Sequence, residues 1–350
     1  TGPRVCSKSE AMDEVLDPGR ETAGGLPDPG PSASPEPFAW IAGRTSNRTP
    51  ATPRSNQEIP AFESPVTVVR PPRQTLPLVV SSPHSGQRYP QDLLARTGLD
   101  PLTLRSSEDT FVDELFAAAP ELGAPLVKAE FPRVYVDANR EPFELDPAMF
   151  HDPLPDYVTT QNARIAAGLG TIARVVSNSA PVYRGKLSFA EALGRIETCW
   201  KPFHAALAET IEGTLDRFGY CVLLDAHSMP SNVLTLGADG RAHPVADVVL
   251  GDCHGGSCST VLVQRCERVM ARQGYRVHRN TPYAGGFVTR HYGRPEAGVH
   301  ALQIEVKRGL YMNERRFQRT PGFARVAADM RRLVATIGGF DPHRPWGDAD

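Results

Sequence analysis

The run Tyr220-Cys221-Val222-Leu223-Leu224, followed at once by Asp225-Ala226-His227-Ser228, constrains this chain more than any other segment. A short apolar run that breaks abruptly into polar residues suits a buried strand rather than a helix. In open α/β sheets the chemistry collects at the carboxyl ends of strands. A histidine at such an end can give an imidazole nitrogen to a metal while a neighbouring carboxylate or carbonyl fixes its tautomer. The same segment also fits a core histidine with a hydrogen-bond partner, and the segment alone leaves both readings open.

The rest of the pattern supports a sheet of this kind. Leu76 to Ser81 reads as a buried strand that ends in the loop Pro83-His84-Ser85-Gly86. Asp109 to Leu122 has helical spacing, and Leu126-Val127 and Arg133-Val134-Tyr135-Val136 look like further strands. Phe189, Leu193, Ile196, Trp200, Phe203, Leu207, Ile211 and Leu215 recur at helical intervals, which predicts a long amphipathic helix over 188–218. The strand 220–225 follows, then a loop to about 258, a helix near 259–272 and a strand near Tyr275–His278. Val299–Val306 reads as a strand and 321–337 as a closing amphipathic helix. Strands alternating with helices imply an α/β fold, a three-layer α/β/α sandwich around a mixed, mostly parallel sheet. Residues 61–350 are expected to form one catalytic domain. Residues 1–60, rich in Pro, Gly, Ser and Asp without apolar periodicity, read as disordered.

Charge narrows the function classes. Lys plus Arg total 38 against 40 Asp plus Glu, a net charge of −2, so no global pull toward nucleic acid or an anionic membrane follows. No apolar stretch approaches the ~20 residues of a membrane span. The first residues lack the apolar core of a signal peptide and are too acidic for a transit peptide. The cysteines Cys6, Cys199, Cys221, Cys253, Cys258 and Cys266 form no CxxC pair and read as reduced thiols of a cytoplasmic protein.

Polar clusters close several predicted strands: His84 on the first, Asp137, Asn139 and Arg140 on another, and Asp225, His227 and Ser228 on a third. Glu305 is different, since it lies inside the apolar strand Ile304-Glu305-Val306. Burying a carboxylate costs several kcal/mol without a partner, so Glu305 should meet a cation, a metal or a proton. A structural ion pair with Lys307 or Arg308 competes with a functional role. Two histidines and a carboxylate with one open position form the ligand set of a catalytic zinc ion, which acidifies water and polarises a carbonyl. His84 and His227 are the natural imidazole donors. Glu108, Asp109 and Asp137 all remain candidates for the carboxylate.

Six motifs in order then carry a resemblance. They are Pro83-His84-Ser85-Gly86, Val136-Asp137-Ala138-Asn139-Arg140, Trp200-Lys201-Pro202-Phe203-His204, Asp225-Ala226-His227-Ser228, Gly285-Gly286-Phe287-Val288-Thr289-Arg290-His291-Tyr292-Gly293, and Ile304-Glu305-Val306 with Tyr311-Met312-Asn313-Glu314. From about Leu78 to Glu314 the chain resembles the N-formylglutamate amidohydrolases. That resemblance implies zinc-dependent hydrolysis of N-formyl-L-glutamate to glutamate and formate in histidine breakdown. It also implies a fold similar to the zinc carboxypeptidases and a small N-acyl amino acid as the partner. His84, Asp109 and His227 match the metal ligands and Glu305 the general base and later acid. Asn139-Arg140 is similar to a pair that holds a substrate carboxylate, for which arginine's planar fork is suited.

Other roles are broader. Arg290 is expected to bind a second carboxylate or stabilise an oxyanion, and His291 to donate to that oxyanion, against an anchoring role for both. His204, Tyr292 and Tyr311 fit a structural role at least as well as an active one. The chain departs from the family in two places. No histidine follows Asp109 by a few residues, and Lys307-Arg308 adds positive charge where neutral residues are expected. These departures bear on the substrate more than on the reaction, and an activity on another amide or peptide is the nearest alternative; a zinc-binding homologue without turnover is a further one, against which Glu305 and the two histidines count. Oligomeric state is not legible.

Overall fold

A computed structural model describes residues 64–236, 242–244 and 246–343. The segment 1–60, expected to be disordered, lies outside the described residues. The core is a 7-stranded sheet. Its strands are β1 (Val66–Val69), β2 (Leu78–Ser82), β3 (Leu126–Ala129), β4 (Cys221–Met229), β5 (Val248–Gly251), β6 (Val277–Arg279) and β7 (Val299–Lys307). They lie in the order β1-β3-β2-β4-β7-β5-β6. Strands β3, β2, β4 and β7 are parallel, β1 runs antiparallel to β3, and β5 runs antiparallel to β7 with β6 parallel to it.

Every residue of β4 and all but the last of β7 are buried. Central strands covered on both faces read as continuous apolar runs, which is why 220–224 is so legible. On one face, Leu224, Ala226, Leu250, Ile304 and Val306 pack with Leu262, Cys266 and Met270 of the helix Thr260–Arg272 and with Val326, Met330 and Leu333 of the helix Gly322–Ile337. On the other, the helix Lys201–Phe218 lies across β1 to β4. The expected three layers are present. Among the described residues no helix is long and apolar enough to cross a membrane.

Several elements differ from the sequence reading. Arg133–Val136 is a turn and not a strand, with the Tyr135 N–H donating to the Pro132 carbonyl. Asp109–Leu122 is two short helices, Val112–Leu115 and Ala119–Leu122. Phe111 adopts a left-handed conformation at φ 67°, and Pro120 could not sit inside one continuous helix without breaking it. The long helix begins at Phe189 and passes through a π-turn over Ile196–Trp200 just before Pro202, which has no N–H to give. β4 runs on to Met229, and the presumed loop to 258 contains β5. The last short strand is shifted to Val277–Arg279, and Phe287–Tyr292 is an unanticipated helix.

Candidate metal centre

Strand pairing assembles the site before any side chain is considered. His227 of β4 is in register with Glu305 of β7, and Glu305 with Val249 of β5. Residues in register share a face, so His227 and Glu305 stand side by side on one row. His84 follows the neighbouring strand β2, and its carbonyl accepts from the Asp109 backbone N–H at 3.1 Å. That bond brings the Asp109 turn to the same sheet edge.

His84, Asp109 and His227 offer three donor atoms within 4.8 Å of one another, and all three residues are buried. Asp109 Oδ2 lies 2.9 Å from His227 Nδ1 and 3.3 Å from His84 Nδ1. The two rings are tilted, with centroids 4.8 Å apart. Their far nitrogens are each backed by an acid. His84 Nε2 lies 2.7 Å from Asp137 Oδ1, and His227 Nε2 lies 3.2 Å from Asp225 Oδ1. With a proton on each Nε2, as a metal bound between them would require, each Nδ1 lone pair would face inward, which is how ligand histidines are oriented. His84 Nδ1 is buried and takes no hydrogen bond. An inward-facing, unsatisfied imidazole nitrogen beside a carboxylate oxygen and a second imidazole suits a cation.

Electrostatics point the same way. Burial alone would raise the Asp109 pKa, but the adjoining His227 and His84 imidazoles hold it well below the usual range. Burial would lower that of His227, yet Asp225, Asp109 and Glu305 push it well above. The acids that favour a proton on His227 would favour a divalent cation in the same place. The other carboxylate candidates are committed elsewhere. Glu108 accepts from Tyr89, Arg105 and Thr110. Asp137 sits behind His84, and Arg133 Nη2 donates to its Oδ2 at 2.7 Å.

Glu305 is buried beside this cluster, and its Oε1 accepts from Gln303 Nε2 at 2.9 Å. The two cations that could have neutralised it are engaged elsewhere. Lys307 Nζ lies 3.1 Å from Asp247 Oδ1, and Arg308 Nη2 lies 3.1 Å from Asp109 Oδ1. Burial raises the Glu305 pKa to about 7, against the opposing pull of His227.

Comparison with known proteins identifies the family of the chain. Residues 76–312 match the model of the N-formylglutamate amidohydrolase family. The chain belongs to that family. It is 34% identical over 244 residues to an N-formylglutamate deformylase of Pseudomonas putida, a match spanning 68% of this chain and 83% of the relative. A similar deformylase of Pseudomonas aeruginosa is 34% identical over 245 residues, spanning 69% and 84% of the two chains. The crystal structure of an N-formylglutamate amidohydrolase from Ralstonia eutropha JMP134 is 40% identical, with a TM-score of 0.73 over 78% of this chain and 97% of that one. A gene product of Agrobacterium tumefaciens at 19% identity and a TM-score of 0.56, over 78% of this chain and 94% of that one, shares the fold.

Within this family member, the remaining candidates fall into groups. Arg140 Nη1 donates to the Asn139 carbonyl at 2.8 Å and Nε to the Leu169 carbonyl at 3.1 Å, which fixes the guanidinium near Asp137 and Glu144. Arg290 is exposed on the helix Phe287–Tyr292, and its charge acts on Glu144 and Cys253. The Asn139 carboxamide faces inward. Its Oδ1 accepts from the Val288 N–H at 2.8 Å, and its Nδ2 lies 3.1 Å from His227 Nε2. His291 stacks on Phe287 at 4.4 Å, and burial lowers its pKa to about 3, so the ring is neutral at ordinary pH. His204 is buried; its Nε2 donates to the Ala138 carbonyl at 2.8 Å, and Nδ1 lies 3.0 Å from the Tyr292 hydroxyl. Tyr311 is buried and donates to the Thr110 carbonyl. Cys258 is a core thiol, and Cys253 is half-buried beside the Gly285 turn.

The sequence reading missed three contributors. Arg133 joins Asp137 and lies within the electrostatic reach of Asp109 and Glu305. Arg308 grips Asp109. Tyr283 packs on Met229 and Val249, beside the Glu305 row. Arg133 lay inside a presumed strand, and Arg308 was noticed only as an unexpected charge.

Proposed function

We propose that this chain is a zinc-dependent amidohydrolase that cleaves the acyl amide of an N-acyl acidic amino acid, with N-formyl-L-glutamate and water giving L-glutamate and formate. One observation carries the reading: Glu305 stands in register beside His227, next to the His84–Asp109–His227 cluster, while Lys307 and Arg308 bond to Asp247 and Asp109 instead. A structural carboxylate would have taken Lys307 or Arg308. The names of the relatives support the substrate.

His84, Asp109 and His227 would hold the ion. Zinc bound there supplies Lewis acidity toward the acyl oxygen and acidifies a water. Glu305 Oε2 accepts the water's proton and returns it to the leaving nitrogen. A value near 7 suits a group that must first take a proton and then give it up at neutral pH. Arg133 presents its remaining N–H groups to the oxygen that gains charge, a role worth most in a site shielded from water. Arg140 and Arg290 hold the substrate carboxylates. Asp137 and Asp225 keep both histidines with their lone pairs turned inward.

The test is a rate comparison on N-formyl-L-glutamate, N-acetyl-L-glutamate, N-formyl-L-leucine and a glutamyl peptide, with metal analysis of the same sample. Hydrolysis of N-formyl-L-glutamate at least a hundredfold faster than the others, with one zinc per chain, is expected. Faster hydrolysis of the peptide would replace the substrate assignment. Full activity in zinc-free protein would overturn the ligand set.

A further inference from the structure

Asp109 divides its two oxygens between different neighbours. Oδ2 faces both imidazoles, 2.9 Å from His227 Nδ1 and 3.3 Å from His84 Nδ1. Oδ1 turns away, toward Arg308 Nη2 at 3.1 Å and the Ser228 hydroxyl at 3.3 Å, both of which donate to it. Arg308 has little freedom to leave. It is buried, its Nε donates to Ser228 Oγ at 3.1 Å, and its Nη1 donates to the Ser106 carbonyl at 3.0 Å. A planar fork that satisfies three acceptors at once has one orientation.

We propose that Arg308 is a positioning residue that confines Asp109 to one-oxygen coordination and so keeps a coordination position of the metal site open. The inference rests on the zinc hydrolase reading above. A catalytic zinc site has three protein ligands and leaves its fourth position to water or substrate. A carboxylate with both oxygens free can chelate an ion and fill that position itself. Here the second oxygen is already taken by a charged donor and a hydroxyl, the stronger kind of hydrogen-bond arrangement for a carboxylate. Arg308 also sets a positive charge beside the ligand, so its removal does not weaken the attraction for a cation. A merely structural residue would lose metal and turnover together. Arg308 should separate them.

The experiment uses the full chain as wild type, Arg308→Met and Arg308→Lys. Each is stripped with chelator, titrated with zinc chloride against a chromophoric chelator, and loaded with cobalt(II) for visible absorption, which reports the ion's coordination geometry. In Arg308→Met, zinc affinity should stay within twofold of wild type or rise, kcat should fall at least tenfold, and the cobalt bands should weaken as a further oxygen joins the ion. Arg308→Lys keeps a charge but not the fork and should lie between. A cobalt spectrum of Arg308→Met that superimposes on the wild type would overturn the inference, as would a tenfold loss of zinc affinity. Where Arg308→Met fails to fold, Arg308→Lys and Ser228→Ala decide, and wild-type spectra in both would overturn it. A wild-type chain that takes up no zinc overturns the hydrolase reading and this one with it. Zinc uptake by wild type with an unchanged variant spectrum overturns this one alone.

Discussion

Replacing Glu305 with glutamine should remove most turnover and, at alkaline pH, make the metal-free protein more stable relative to wild type. Burial raises the Glu305 pKa from 4.5 to about 7. At 1.36 kcal/mol per unit, the folded state holds that proton more tightly by about 3 kcal/mol. Between the two values the folded chain binds more protons than the unfolded one, so stability falls as pH rises through this window. The full penalty of about 3 kcal/mol is reached above pH 7, where the buried group is ionised in both states. Glutamine has the same shape and no proton to lose, so the variant escapes this penalty. The assay is urea unfolding of chelator-treated wild type and Glu305→Gln at pH 5 and pH 8. The variant's stability relative to wild type should rise between the two by an amount on the order of 3 kcal/mol. An equal difference at both pH values would refute the argument that burial governs this carboxylate. In the zinc-loaded enzyme the nearby cation favours the carboxylate, so the acid limb of kcat/KM should fall at or below pH 7. Glu305→Gln should keep its zinc and lose about 10²- to 10⁴-fold in kcat.

Three further outcomes are expected. His227→Ala removes one inward lone pair, and the purified protein should hold well under half the wild-type zinc; an unchanged zinc-to-protein ratio would take His227 out of the ligand set. Asp137→Ala touches no ion but releases His84 Nε2, 2.7 Å away, so zinc affinity in a chelator competition should weaken about 10- to 100-fold. Arg133→Met should lower kcat about 10²-fold or more, with KM for N-formyl-L-glutamate little changed and zinc retained. A rise in KM alone would move Arg133 to ground-state binding.

How much of this was legible in the sequence depends on whether a residue's neighbours are set by strand pairing or by the chain's irregular paths. β4 and β7 are buried on both faces, so their apolar runs announced them, and the polar residues that interrupt them, His227 and Glu305, stood out against that background. Their pairing is a register relation between parallel strands, and the parallel sheet was itself readable. His84 was visible for the same reason, at the end of β2. The carboxylate was not. Asp109 lies in a turn whose approach to the sheet is fixed by a backbone bond to His84 and by a guanidinium 199 residues away in sequence. Neither contact has a local signature, and three acids were equal on chemical grounds alone. Arg133 was hidden by a misread strand, because Val134-Tyr135-Val136 has the composition of one while Pro132 and the following bonds impose a turn. Arg308 shows the same limit from the other side. Its charge looked like a flaw beside a presumed base, yet its guanidinium bonds to Asp109, and Glu305 Oε1 accepts from Gln303 instead. The two features that set this sequence apart from the family's pattern, an acid without a clear identity at 108–109 and a cation close after Glu305, meet in the fold, where Arg308 holds Asp109.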